Sequence, residues 1–170
     1  MSVRYNAVRQ KSSHNSYQRT EGYLDQALYW RIRSLEVDIH NSNHAGGWPD
    51  IDGDWYVYHA SYDSESSVYT LSELLELLQA LQRALPEHEV VTIWLDLKDS
   101  FTVDGSHEPA DLDALLTEKL GRDAIWGPPD LIGDAESLQD AVAQYGWPTL
   151  ESLRGKFIFC LLYTSDAADE

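Results

Sequence analysis

The sequence predicts a parallel α/β sheet with helices between its strands. Strand-like and helix-like segments alternate along the chain, the order that builds parallel sheets. Val90–Leu97 is apolar at nearly every position, as a strand covered on both faces should be. Polar clusters also fall at the ends of four successive candidate strands: Ser13-His14-Asn15-Ser16, Glu36-Val37-Asp38, His59 and Asp96-Leu97-Lys98. Parallel barrels assemble their active sites from such strand tips.

Residues 7–13 are the first candidate strand, ending at His14, and a short helix is expected over Tyr23–Tyr29. Ile32–Ile39 alternates, with Glu36 and Asp38 on one face and Leu35, Val37 and Ile39 on the other. Residues 41–54 hold three glycines and a proline and read as a long loop. The aromatic and β-branched run Trp55–His59 reads as a third strand. Thr70–Leu85 is the clearest helix: Thr70 or Ser72 can cap it, its leucines at 71, 74, 75, 78, 81 and 85 form one stripe, and Pro86 stops it. Val90–Leu97 is the fourth strand. A helix over Pro109–Leu120 ends at Gly121, Gly127-Pro128-Pro129 is a turn, Glu136–Tyr145 is a further helix and Lys156–Leu162 a fifth strand.

The length, 170 residues, suits one hydrophobic core. The formal charge of −17 repels polyanions, which argues against nucleic acid as a partner, and against adhesion to an anionic membrane without a bridging divalent cation. No run approaches the roughly 18 apolar residues of a membrane span, and Met1–Asn6 lacks the apolar core of a secretory signal. The lone Cys160 lies in an apolar run and is expected to be a buried strand residue.

Glu36 and Asp38 leave the same face of their strand. Two neighbouring carboxylates repel unless a cation binds them; oxygen donors without thiolate suit calcium or magnesium. The alternative is a structural pair neutralised by Arg31 or Arg33. Asp96 and Lys98 likewise share a face, and could be functional or a surface ion pair. His14 and His59 at strand tips form a candidate acid–base pair for a phosphodiester. His40 and His44 are spaced like a metal pair, but they straddle a polar, glycine-rich loop and are expected in solvent. The run from Asp50 to Asp54 hints at a calcium loop but lacks the acidic residue that closes a twelve-residue site.

Three segments, 11–17 (Lys-Ser-Ser-His-Asn-Ser-Tyr), 32–38 (Ile-Arg-Ser-Leu-Glu-Val-Asp) and Tyr58-His59, resemble the X-region of phosphatidylinositol-specific phospholipase C. The bacterial calcium-dependent branch is the nearest likeness, and residues 147–156 resemble the segment leading into its fifth strand. The resemblance covers roughly residues 5–160. It implies a TIM (β/α)8 barrel, here incomplete, with about five parallel strands and intervening helices. It further implies cleavage of a phosphoinositide or related phosphodiester by a neighbouring hydroxyl, through a cyclic phosphate, with transient contact at a membrane surface. By position, His14 and His59 would be catalytic, Asn15, Glu36, Asp38 and Asp96 would bind Ca2+, and Lys98 would meet the phosphate. His59 would protonate the leaving group; His14, Glu36 and Asp38 all qualify as the base. Asp96 stands where a longer Glu would reach farther.

A full barrel takes about 250 residues, so residues 1–160 are expected to be the N-terminal part of a longer one. Residues 161–170 resemble adapter-derived read-through and are expected to be a non-native tail. The chain alone is then expected to be marginally stable and weakly active, with uncovered sheet edges. Bacterial members of that branch are often secreted. A glycerophosphodiester phosphodiesterase-like enzyme and a catalytically silent sugar-phosphate-binding or scaffold barrel are the alternatives.

Overall fold

The computed structural model describes residues 3–43, 48, 49, 51–103 and 105–163. Four parallel strands form one sheet in the order β1-β2-β3-β4: β1 (Ser12–Ser13), β2 (Ser34–Ile39), β3 (Val91–Leu97) and β4 (Phe157–Tyr163). The helices are α1 (Tyr23–Leu28), α2 (Leu71–Ala84), α3 (Pro109–Leu120), α4 (Pro128–Ile132) and α5 (Leu138–Tyr145). The predicted strand, helix, strand order is therefore that of the structure.

Strand alternation divides the sheet into two chemically different faces. Leu35, Val37 and Ile39 of β2 join Ile93, Leu95 and Leu97 of β3 in the main core, against the α2 stripe Leu71, Leu74, Leu75, Leu78 and Leu81 and Leu112 and Leu116 of α3. Each such side chain, fully buried, contributes about 1.5–3 kcal/mol. Local chemistry sets the helix ends. Thr70 Oγ1 accepts the Glu73 N–H at 3.3 Å, Ser137 Oγ accepts that of Asp140 at 3.1 Å, and Gly121 ends α3 at φ 81°.

The opposite face is mixed: Val90 and Ile158 pack with Leu153 in a second apolar cluster, and polar groups lie in layers beside it. Near the strand starts, Thr92 Oγ1 meets the Tyr5 hydroxyl at 2.7 Å and donates to Gln10 Oε1 at 3.1 Å. Above it, Trp94 Nε1 donates to Ser34 Oγ at 3.0 Å. The C-terminal layer holds Glu36, Asp38 and Asp96. Cys160 is half-buried on β4 rather than fully enclosed.

Several expectations need correction. The sheet has four strands rather than five, because Trp55–His59 does not enter it. β2 and β3 pair directly over six residues, which leaves no place between them. The segment is extended and Trp55–Tyr58 are buried, but its backbone partners lie elsewhere. Tyr56 exchanges two hydrogen bonds with His40, at 2.8 and 2.9 Å, the Val57 N–H reaches the Tyr69 carbonyl, and the Leu71 N–H reaches that of Trp55. The extended propensity was correct and the partner was not. The first strand is confined to Ser12–Ser13: Ala7 belongs to the 3-10 turn Tyr5–Ala7, and residues 8–11 lie outside the sheet. Gly127-Pro128-Pro129 opens α4: proline suits the first helical turn, and Asp130 Oδ2 accepts the Gly127 N–H at 2.8 Å.

Gly155, just ahead of β4, has φ +66°, donates its N–H to the His88 carbonyl at 2.8 Å, and would place a Cβ 2.1 Å from the Pro86 carbonyl oxygen. Replacing it with alanine combines positive-φ strain with a backbone clash, so the Gly155→Ala chain should lose about 1–3 kcal/mol or more. Urea denaturation checks this; an unchanged midpoint would refute the packing described here.

Candidate active site

The C-terminal edge of the polar face is built from β2 and β3 in register. Asp38 pairs with Asp96 across the sheet, and Glu36 lies two residues before Asp38. One carboxylate oxygen from each of the three comes within 4.8 Å of the others. Asp38 and Asp96 are only 1% and 6% exposed. Lys98 supplies a counter-charge, with Nζ 2.7 Å from Asp96 Oδ2 and 3.4 Å from Asp38 Oδ2. Asp96 and Lys98 thus belong to a buried cluster and not to a surface ion pair.

Arginine does not neutralise the carboxylates. Arg33 bonds Glu89 at 2.8 Å and the carbonyls of Ala27 and Ile32, and Arg31 is exposed. Neither oxygen of Asp38 accepts a hydrogen bond of acceptable geometry, although Glu36 and the Tyr17 hydroxyl lie close enough to influence its titration. Burial, then the hydrogen-bonding and charge of Glu36, push the Asp38 carboxyl from 3.8 up to about 7, with Lys98 pulling the other way. Burial and then the carboxylate charges also raise the phenols of Tyr17 and Tyr23, which stay neutral. Lys98 is held above its usual value: burial opposes its charge, but Asp96 and Asp38 outweigh it.

The turn after β1 closes on this cluster. Asn15 adopts the left-handed region at φ 46° and donates its backbone N–H to Glu36 Oε2 at 2.5 Å. Ser16 Oγ accepts the Glu36 N–H at 3.1 Å. Buried Gln26 holds the turn from beneath: its Nε2 donates to the carbonyls of Ser16 and Glu21, and its Oε1 accepts from Ser13 Oγ at 2.8 Å. Gln26 carries no motif signal, so sequence reading missed it.

His59 follows the extended segment, on a turn closed by mutual backbone hydrogen bonds between Ala60 and Asp63. Its Nδ1 lies 3.1 Å from Asp63 Oδ2, a partner that sequence reading also missed. An i, i+4 spacing between His and Asp was the available signal. An open cleft of about 930 Å³ is lined by His59, Lys98, His40, Tyr58 and Tyr62, among others. His14 stands apart. It is exposed and lines a different cavity with Glu21 and Trp30, while its carbonyl accepts from Arg19 Nε at 2.9 Å.

His40 is buried, contrary to expectation, at 8% exposure. Its pairing with Tyr56 draws it inward, its ring stacks on Tyr58 at 3.8 Å and 4°, and Nε2 lies 3.0 Å from the Tyr58 carbonyl. His44, Asp50 and the tail from 164 lie outside the described residues. Asp54 of the supposed calcium loop instead caps α2, its Oδ1 accepting the N–H groups of Trp55 and Ser72.

Residues 53–170 match the family described as phosphoinositide phospholipase C, Ca2+-dependent. The chain belongs to that family. Solved structures agree in fold. A calcium-dependent phosphoinositol-specific phospholipase C from Pseudomonas sp. aligns at 24% identity and TM-score 0.79, over 96% of this chain and 59% of its own. The enzyme from Streptomyces antibioticus aligns at 30% identity and TM-score 0.73, over 89% and 51%. A Staphylococcus aureus phosphatidylinositol-specific enzyme aligns at 14% and 0.60. No curated protein matches at the sequence level. The chain thus spans about 59% of the Pseudomonas protein, and its sheet is part of the TIM barrel of these phospholipases.

The family is calcium-dependent, and the donor set suits that ion. All three clustered donors are hard carboxylate oxygens, and the buried Asp38 oxygens lack the hydrogen bonds that would otherwise satisfy them.

A pH dependence follows for the calcium-free chain. Because the folded Asp38 carboxyl titrates near 7 against 3.8 for the ordinary group, the folded state binds more protons than the unfolded one between those values. This group's contribution therefore falls as pH rises through that window, and is flat above it. Urea midpoints in EDTA should decline less between pH 5 and pH 8 for Asp38→Asn than for the parent chain. Equal declines would contradict the assignment.

Proposed function

We propose that the protein is a calcium-dependent phosphodiesterase that cleaves a phosphoinositide by attack of a neighbouring inositol hydroxyl, giving a cyclic phosphate. The observation that best supports this reading is the buried Asp38, whose oxygens accept no well-formed hydrogen bond, in an oxygen cluster beside the cleft that holds His59.

Glu36, Asp38 and Asp96, with the Asn15 carboxamide, would hold the ion. Bound calcium would supply charge neutralisation on a phosphate oxygen and acidify the attacking hydroxyl. In the first step the hydroxyl oxygen forms a bond to phosphorus and the bond to the lipid oxygen breaks. His59, on the cleft wall, donates the proton that the departing alkoxide takes up. The hydroxyl proton goes to a base, for which His14, Glu36 and Asp38 are the candidates. Lys98 lines the same cleft and can hold a phosphate oxygen, as a compact ammonium does. His14 lines a separate cavity with Glu21 and Trp30, so it acts only on a substrate that spans both.

Substrate at a membrane surface needs only transient contact. Among the described residues no helix is long and apolar enough to cross a bilayer, and the charge of −17 favours contact through a divalent ion over direct adhesion.

Cleavage of phosphatidylinositol vesicles with calcium and with EDTA tests the activity, and glycerophosphodiesters in parallel test the substrate class. His59→Ala should lower the rate at least about 100-fold while calorimetry shows calcium binding retained. Asp96→Asn should weaken calcium binding at least about tenfold. An undiminished rate in His59→Ala would remove histidine from the role of acid.

A further inference from the structure

We propose that Gln18 and Asp63 are positioning residues, joined in a hydrogen-bond relay that orients the Asn15 carboxamide at one end and the His59 imidazole at the other. The proposal rests on the assignment of Asn15 as a calcium ligand and His59 as the acid, and adds a link between them.

Three contacts make the relay. Asn15 Nδ2 donates to Gln18 Oε1 at 3.0 Å, Gln18 Nε2 donates to Asp63 Oδ1 at 2.9 Å, and Asp63 Oδ2 lies 3.1 Å from His59 Nδ1. Backbone geometry holds both halves. Asn15 and Gln18 bracket one 3-10 turn, closed by the Gln18 N–H on the Asn15 carbonyl at 2.9 Å, and Asp63 sits on the Ala60 turn. An ordinary i, i+4 surface pair would need no third member. Here the second carboxylate oxygen is taken by a residue 45 positions away.

The direction of the relay is fixed by what each group can do. An ionised carboxylate only accepts, so it takes a hydrogen from both neighbours. Gln18 must then turn its nitrogen to Asp63 and its oxygen to Asn15. Asn15 must turn its nitrogen to Gln18, which leaves its oxygen as the atom available to a cation. On the other side, neutral His59 must carry its hydrogen on Nδ1. When doubly protonated, it keeps that bond and has the Nε2 proton to give. The His59 and Asp63 side chains are 34% and 42% exposed, so charge attraction between them is screened. Orientation is the larger contribution.

The relay makes a crossed prediction for two substitutions at one residue. Asp63→Asn can still accept from His59 Nδ1, so the ring keeps its tautomer. Its amide nitrogen then faces Gln18, which must turn over, and Asn15 must turn over in response, presenting nitrogen instead of oxygen to the ion. Calcium affinity should fall about tenfold or more, although residue 63 touches none of the three carboxylates. Asp63→Ala removes the acceptor: the calcium-free His59 ring should shift towards the Nε2–H tautomer, while calcium affinity falls less than in Asp63→Asn, because Gln18 is released rather than reversed. Gln18→Leu should break the link, keep the His59 tautomer and abolish the calcium effect of Asp63→Asn.

The tautomer is read by nitrogen-15 NMR of the histidine rings in the calcium-free 170-residue chain, and affinity by calorimetric titration with calcium alone. The crossed pattern supports the relay, since general damage would move both readouts together. An unchanged His59 tautomer in Asp63→Ala, or unchanged calcium affinity in Asp63→Asn, overturns it. Should Asp63→Ala not fold, Asp63→Asn with and without Gln18→Leu decides. If the parent chain binds no calcium, the calcium assignment fails by itself, and the tautomer readout still decides the Asp63–His59 link.

Discussion

Three carboxylates whose oxygens lie within 4.8 Å of one another cannot all remain ionised on a buried sheet face with a single ammonium beside them. The calcium-free chain resolves this in two ways. Lys98 bridges Asp96 and Asp38, and Asp38 keeps its proton to about pH 7. With three negative charges against one positive, the cluster lacks two charges when the proton leaves. A divalent cation supplies that difference. Proton and ion are therefore alternative occupants of one electrostatic need, and the buried Asp38 is where they compete.

The cluster exists because β2 and β3 pair in one register. Asp38 opposite Asp96 puts both acids at the same height, and a slip of one residue would turn the carboxylates into the apolar core. The register is enforced from the other side of the sheet. Leu35, Val37, Ile39, Ile93, Leu95 and Leu97 are committed to the leucines of α2, and moving them into solvent would cost far more than the repulsion among the acids. The hydrophobic effect thus holds together charges that would otherwise separate. The turn after β1 adds hydrogen bonds without counter-charge, with the Asn15 N–H on Glu36 and Ser16 on its backbone. Glu36 is oriented while its charge stays available to a cation.

Sequence reading succeeded where periodicity and burial coincide. The alternation of Ile32–Ile39 put Glu36 and Asp38 on one face, and the leucine stripe fixed α2, both as the structure has them. His59 and Lys98, both singled out in the sequence, line one cleft. Sequence reading failed where partners are distant in sequence. Trp55–His59 has strand composition, but pairing with His40 and Thr70 rather than with a sheet strand is a tertiary choice that composition does not encode. His40 followed from the same error, since its burial depends on Tyr56 and Tyr58. Gln18 and Gln26 were invisible for a different reason. A glutamine that satisfies a turn looks like any surface glutamine until its partners are known.

The misread segment explains how His59 and the carboxylate cluster are placed by different parts of the chain. Glu36, Asp38 and Asp96 stand on β2 and β3, whose positions are set by the core. His59 is instead placed by a segment anchored to His40 beyond the end of β2 and to residues leading into α2. A sheet strand inserted there would have separated β2 from β3 and dispersed the carboxylates. By running outside the sheet, Trp55–His59 brings an imidazole to the cleft while Asp38 and Asp96 remain neighbours. The cost is a weaker hold on His59, whose side chain is a third exposed and whose Nδ1 is paired with Asp63. A side chain so held needs a fixed partner to keep one geometry, and that partner is in turn tied through Gln18 to the turn that carries Asn15.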